Sequence, residues 1–132
     1  MNQSSAKKQL LLLDDEPNVL KSLVRLLSKD NYEIHTFSRP FDAIEMLKCT
    51  DIGVIIVDQC MPQMEGTEFL QQARKIRPEA INIMLTGYDT PENQASADNE
   101  KEVFCYLSKP WNDQTLRKTV IEAFDHYAKQ QK

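Results

Sequence analysis

The sequence predicts a three-layer α/β/α fold, an open doubly wound parallel sheet with helices on both faces. Three observations predict it. Short apolar runs alternate with stretches of helical periodicity, five times along the chain. The clearest runs are apolar throughout rather than alternating, as strands buried on both faces require. At 132 residues the chain has the size of one compact domain, which typically buries ~70% of its unfolded surface. With right-handed crossovers, five strand-helix units give an open sheet rather than a closed barrel.

The elements follow in order. Residues 1–8 are polar and expected to be flexible or disordered, with the folded domain spanning residues 9–129. Gln9 to Leu13 reads as a first strand, ending in Asp14-Asp15. Glu16-Pro17 opens a helix, where the missing N–H of proline costs nothing, and Leu20, Leu23, Val24 and Leu27 form its buried stripe. Tyr32 to Phe37 alternates as a strand; Ser38 can cap the next helix, in which Phe41, Ile44 and Leu47 share a face. Ile52 to Val57 is β-branched and apolar and runs into Asp58. A loop punctuated by Met61-Pro62 and Gly66 leads to a third helix with Phe69, Ala73 and Ile76. Ile81 to Leu85 is a fourth strand ending at Thr86-Gly87. Thr90-Pro91-Glu92 starts a fourth helix poor in apolar anchors. Val103 to Leu107 is a fifth strand ending near Lys109-Pro110. A last helix from about Asp113 carries Leu116, Val120, Ala123, Phe124 and Tyr127 on one face.

Composition narrows the function classes. The net charge of −4, with no Lys/Arg stripe interleaved with aromatics, disfavours direct nucleic-acid binding. Cys49, Cys60 and Cys105 form no CxxC pair and read as reduced thiols. The N-terminus lacks the apolar stretch of a signal peptide, and no apolar run is long enough to span a bilayer. A cytoplasmic protein without membrane attachment is expected.

In open parallel sheets, ligands bind outside the carboxyl ends of the strands, where strand order reverses. This sequence places Asp14-Asp15, Asp58, Thr86 and Lys109 there. A single acid at a strand end is more often a cap or turn residue, a lone lysine a solvated charge, a lone threonine a local turn bond. Five compatible groups on one rim leave those readings unattractive together. Clustered carboxylates repel unless a cation compensates them. Oxygen ligands without His or Cys suit Mg²⁺, which favours phosphate oxygens as further ligands. A carboxylate can attack phosphorus to give an acyl phosphate, with Lys109 and the Thr86 hydroxyl serving the transferred oxygens.

These residues resemble the receiver domain of two-component response regulators, from Leu13-Asp14-Asp15-Glu16 to Lys109-Pro110 and the final helix. Val57-Asp58-Gln59-Cys60-Met61-Pro62-Gln63-Met64-Glu65-Gly66 is similar to the family's phosphoacceptor loop, Asp-x-x-Met-Pro-x-Met-x-Gly. The resemblance implies a flavodoxin-like (βα)5 sheet in the order 2-1-3-4-5. It also implies transfer from the phosphohistidine of a sensor histidine kinase or phosphotransfer protein onto Asp58. Asp15 would be the direct Mg²⁺ ligand and Asp14 a ligand through water, with Asp58 and the backbone carbonyl of Cys60 completing the protein's share. Thr86 would be the switch hydroxyl and Tyr106 the switch aromatic, repacking a face made by the fourth helix, fifth strand and fifth helix. An output domain or a homodimer through that face is the implied readout. Thr86-Gly87-Tyr88 and Lys109-Pro110-Trp111 are similar to receivers whose output is a cyclic-dinucleotide phosphodiesterase or an enhancer-type transcription regulator. For Tyr106 the plain reading is a static aromatic at the sheet edge, and for Trp111 packing between the loop and the last helix.

Neither Cys60 nor Tyr88, two residues past Asp58 and Thr86, offers a carboxylate or amide to orient an attacking water. Slow self-dephosphorylation is therefore expected. A redox role for Cys60 is disfavoured by the neighbouring acids, and His35 and His126 are expected away from the rim. A phosphohydrolase would want a general acid at position 60 and a substrate pocket. A flavin carrier would want a Ser/Thr/Gly-rich loop after the first strand. The alternative kept open is a receiver-like interaction module that acts without phosphorylation. The chain is expected to act on itself alone, by its own phosphotransfer and dephosphorylation, and not as an enzyme with an external substrate.

Overall fold

The structure, a computed structural model, describes residues 7–87 and 103–130. Five strands, β1 (Lys8–Leu13), β2 (Tyr32–Phe37), β3 (Val54–Asp58), β4 (Ile81–Thr86) and β5 (Cys105–Ser108), pair in parallel in the order β2-β1-β3-β4-β5. The described helices are α1 (Pro17–Leu27), α2 (Pro40–Cys49), α3 (Gly66–Ile76) and α4 (Asp113–Gln130). The expected doubly wound sheet and its strand order are thus present. The helix expected from Thr90-Pro91, and Tyr88, lie outside the described residues.

Period-two side-chain direction divides the core into two layers. Leu11, Leu13, Ile55, Val57 and Met84 face α2 and α3, packing on Ala43, Leu47, Phe69 and Ala73. Leu10, Leu12, Ile56, Ile83 and Leu85 face α1 and α4, packing on Leu23, Leu27, Leu116, Val120 and Phe124. β1 and β3 lie inside the sheet and are covered on both sides, which is why Leu10–Leu13 and Val54–Val57 are wholly apolar. Each such side chain contributes roughly 1.5–3 kcal/mol by burial.

Local details depart from the sequence expectations. α2 begins at Pro40 with Arg39 as its N-terminal flanking residue and no side-chain cap, so Ser38 does not cap it. Its buried stripe is Pro40, Ala43, Ile44 and Leu47. Phe41 falls one position off that stripe and is 58% exposed, not part of the core face. In α1, Leu20 and Val24 are half-buried while Leu26 is buried, because the helix seats its Leu23-Leu26-Leu27 edge on the sheet. Ladder pairing of β3 begins at Val54, although Gly53 already donates to Gln9 O and accepts from Ile81 N. β5 starts at Cys105, with buried Val103 and exposed Phe104 leading into it.

Candidate functional site

Register brings the strand ends level. Leu13 pairs with Val57, so the next residues, Asp14 and Asp58, stand side by side. Asp58 pairs with Leu85, with Thr86 one residue further; Thr86 pairs with Ser108, with Lys109 one residue further. Backbone bonds fix three ends laterally: Asp14 N donates to Phe37 O (3.1 Å), Gln59 N to Leu85 O (2.9 Å) and Lys109 N to Thr86 O (2.9 Å). The Lys109-Pro110 peptide is cis.

The side chains converge accordingly. Lys109 Nζ lies 2.9 Å from Asp14 Oδ2, 3.1 Å from Asp58 Oδ1 and 3.5 Å from Glu16 Oε1. Asp14 and Asp58 are buried, Asp15 half-buried. Asp14 Oδ1 accepts the Glu16 amide at 2.9 Å, closing a turn into α1. Burial pushes the Asp14 carboxyl up against the opposing pull of the Glu16 amide and Lys109. Burial also pushes Asp58 up, and the Asp14 charge adds to it, while Lys109 and the Cys60 amide pull it down. For Lys109, burial favours the neutral amine, but Asp14 and Asp58 together outweigh it and raise the pKa. One ammonium thus holds two crowded acids.

The donor set fits a hard divalent cation. Oxygens of Asp14, Asp15 and Asp58 lie within 4.8 Å of one another. Asp14 Oδ2 is buried and paired with the Lys109 ammonium at 2.9 Å, and a carboxylate oxygen with one such partner keeps a further lone pair for a ligand. Oxygen-only coordination suits Mg²⁺ or Ca²⁺ rather than zinc.

The other sequence-predicted residues are placed as follows. Thr86 is half-buried at the end of β4. Cys60 has an exposed side chain, and its amide faces the Asp58 carboxylate. Burial, then the charges of Asp58 and Glu65, push its thiol up, which disfavours the reactive thiolate. Tyr106 sits on β5, half-buried and packed on the α2–α3 layer. His35 pairs with Gln9 at 2.7 Å in the β1–β2 ladder, and exposed His126 packs on Phe104; neither joins the site. Trp111 packs on the α1–α4 layer and donates to Asp113. Sequence reasoning missed the contact of Glu16 with Lys109, and it missed Gln59, which closes the loop after Asp58 onto α3.

The open parallel sheet carries this acidic and cationic rim at its carboxyl edge, and comparison with known proteins gives the family. Residues 10–121 match the response regulator receiver domain, and the chain belongs to that family. The hydrogenase transcriptional regulatory protein HoxA of Bradyrhizobium diazoefficiens is 31% identical over 93% of this chain and 25% of its own length. The chain thus spans about a quarter of the curated relatives it first matches. The signal receiver domain of an HD domain-containing protein from Pseudomonas fluorescens Pf-5 is similar with a TM-score of 0.88 and 31% identity, over 95% of this chain and 92% of that one. The beryllofluoride-activated NtrC4 receiver domain dimer gives 0.83 and 26%, over 90% and 98%. Receiver domains are signalling domains of two-component systems. Among the described residues no helix is long and apolar enough to cross a membrane.

Proposed function

We propose that Asp58 is the phosphoacceptor and that a phosphohistidine on a sensor histidine kinase or phosphotransfer protein is the donor. The observation that carries this reading is the Lys109 ammonium, 2.9 Å from Asp14 and 3.1 Å from Asp58 inside a cluster of oxygen ligands. A carboxylate oxygen of Asp58 attacks phosphorus, the P–N bond to the donor imidazole breaks, and its electron pair returns to that nitrogen. The product is an acyl phosphate. Lys109 and the Thr86 hydroxyl would serve the oxygens of the transferred group, donors that act most strongly as charge develops there. Mg²⁺ is the cation we assign; Asp14, Asp15, Asp58 and the Cys60 carbonyl would hold it, and it would supply neutralisation of phosphoryl oxygen charge.

Thr86 drawn towards the phosphoryl group would vacate space for the Tyr106 ring, repacking the surface around the predicted fourth helix, β5 and α4. That surface is the proposed contact for an output domain or a second copy, supported by the activated dimer of the NtrC4 receiver. The transcriptional regulator and the HD domain-containing protein among its relatives support an output carried on a longer protein. The free thiols of Cys49, Cys60 and Cys105 support a cytoplasmic location. The folded unit proposed is residues 9–129, with residues 1–8 a flexible lead into β1.

The test is intact-mass spectrometry after incubation with acetyl phosphate, with and without Mg²⁺. A gain of one phosphoryl group is expected for the wild type with Mg²⁺ and none for Asp58→Asn. No gain by folded wild type with Mg²⁺ would favour the interaction module that acts without phosphorylation. The same assay reads the decay of the acyl phosphate. Cys60 supplies no base for water, so decay is expected over minutes or longer, and a half-life of seconds would overturn that part.

A further inference from the structure

Helix α3 lacks a capping side chain of its own. Its N-terminal flanking residue, Glu65, makes no side-chain cap bond, yet the first amides of a helix need acceptors. Both of the first two are satisfied by one distant residue, Gln59, next to Asp58. Gly66 N donates to Gln59 O at 2.9 Å, and Thr67 N donates to Gln59 Oε1 at 3.1 Å. An amide donor requires an acceptor, so the orientation of the Gln59 carboxamide is determined at this contact. Gln59 is also tied to the sheet, its own N–H donating to Leu85 O. Gln59 therefore joins β4, the acceptor loop and α3.

The consequence for the site lies in one peptide plane. The Gln59 carbonyl and the Cys60 N–H belong to the same trans peptide and point in opposite directions. When Gly66 N holds that carbonyl, it turns the Cys60 N–H towards the Asp58 carboxylate, which accepts a hydrogen bond from it. The next carbonyl, that of Cys60, belongs to the loop that these two bonds close onto α3. The Thr67 bond to the side chain keeps the start of α3 in place, so the main-chain clamp does not rest on a single bond.

We propose that Gln59 is a positioning residue for phosphoryl acceptance, its side-chain carboxamide locking the loop that presents Asp58 and the Cys60 backbone. This rests on the reading of Asp58 as the acceptor. The carboxamide touches neither phosphoryl donor nor Asp58; it acts through the loop. It also explains how a residue type without acid-base chemistry sits beside the acceptor.

The experiment compares wild type, Gln59→Leu and Gln59→Glu in the acetyl phosphate assay at about 1 M potassium chloride, where a Debye length near 3 Å screens the charge that glutamate adds. Leucine keeps the volume and removes the acceptor; glutamate keeps an acceptor that suits a helix N-terminus. The Mg²⁺ concentration giving half-maximal phosphorylation rate is measured for each, beside thermal unfolding without Mg²⁺. Gln59→Leu is expected to raise that concentration about five- to tenfold, the change that loss of one such hydrogen bond implies, and Gln59→Glu to restore most of it. An unchanged Mg²⁺ requirement in folded Gln59→Leu overturns the proposal. If the leucine variant does not fold, Gln59→Glu decides: a requirement near wild type supports it, and one raised as far as tenfold overturns it. Wild type that takes up no phosphoryl group removes the Asp58 reading instead, so the two failures are distinguishable.

Discussion

Lys109→Met is expected to slow phosphoryl uptake by Asp58 on the order of 10²- to 10³-fold, the loss typical when one preorganised charge-stabilising donor is removed. Methionine keeps most of the buried stem, so lost packing contributes little. What disappears is the ammonium 3.1 Å from the Asp58 oxygen, placed where incoming phosphoryl oxygens would need a cation. The variant also leaves Asp14 and Asp58 without the charge that opposes their burial. Both carboxyls already sit above the ordinary value of 3.8 with Lys109 present, and its removal moves them further in that direction. A carboxyl whose pKa rises on folding binds protons as the chain folds. Its contribution therefore favours the fold below the unfolded pKa and is lost as pH rises through the folded one. The melting temperature of Lys109→Met should accordingly fall more steeply from acid towards neutral pH than that of wild type, and added Mg²⁺ should recover part of the loss. Lys109→Arg should not restore the rate fully, because a planar fork does not reproduce a compact ammonium placed between two carboxylates. Phosphorylation within about threefold of wild type for Lys109→Met would remove Lys109 from the transfer step.

The strand ends were legible because each apolar run stops at a chemically distinct residue. Leu13 gives way to Asp14 and Val57 to Asp58, and the parallel register converts those two sequence positions into one place. That Lys109 reaches Asp14 as well as Asp58 was not legible, since it depends on how far β5 runs beside β4. Phe41 shows the limit of periodicity. A three- and four-residue spacing identifies a helix face only once the phase is known, and in α2 the phase is set by Pro40 at the first turn. The same start displaced the cap from Ser38 to Arg39. Gln59 was invisible for a different reason: capping patterns are local, whereas its contacts reach seven and eight residues along the chain through a tertiary loop closure. The expected fourth helix, with few apolar anchors from Asn93 to Asn99, lies outside the described residues.

The same loop sets the second large effect, which concerns Gly66. Glycine is often explained by a left-handed backbone, but none of the described glycines has positive φ. The requirement at Gly66 is space. A Cβ there would lie 2.7 Å from the Asp58 carbonyl oxygen, 2.8 Å from Met84 Sδ and 3.0 Å from Gln59 Cα. Met84 could rotate away, but two of these three atoms are backbone, and they belong to the end of β3 and the first loop residue after it. They are held there by the pairing of Asp58 with Leu85 and by the Gln59 amide. Gly66→Ala would gain helix propensity of at most about 1 kcal/mol, and less at a first helical position. Overpacking against fixed atoms costs about 1–3 kcal/mol, and with backbone on two sides the upper part of that range applies. The steric loss wins by about 2 kcal/mol, a fall in melting temperature of roughly 6–10 °C for a chain of this size. Phosphorylation should fall as well, since relief of the contact requires either Asp58 or the start of α3 to move. Thermal unfolding and the acetyl phosphate assay read the two effects separately. An alanine variant as stable as wild type and phosphorylated at the same rate would mean that the loop yields freely, and the tight closure between Asp58 and α3 would not be what positions the acceptor.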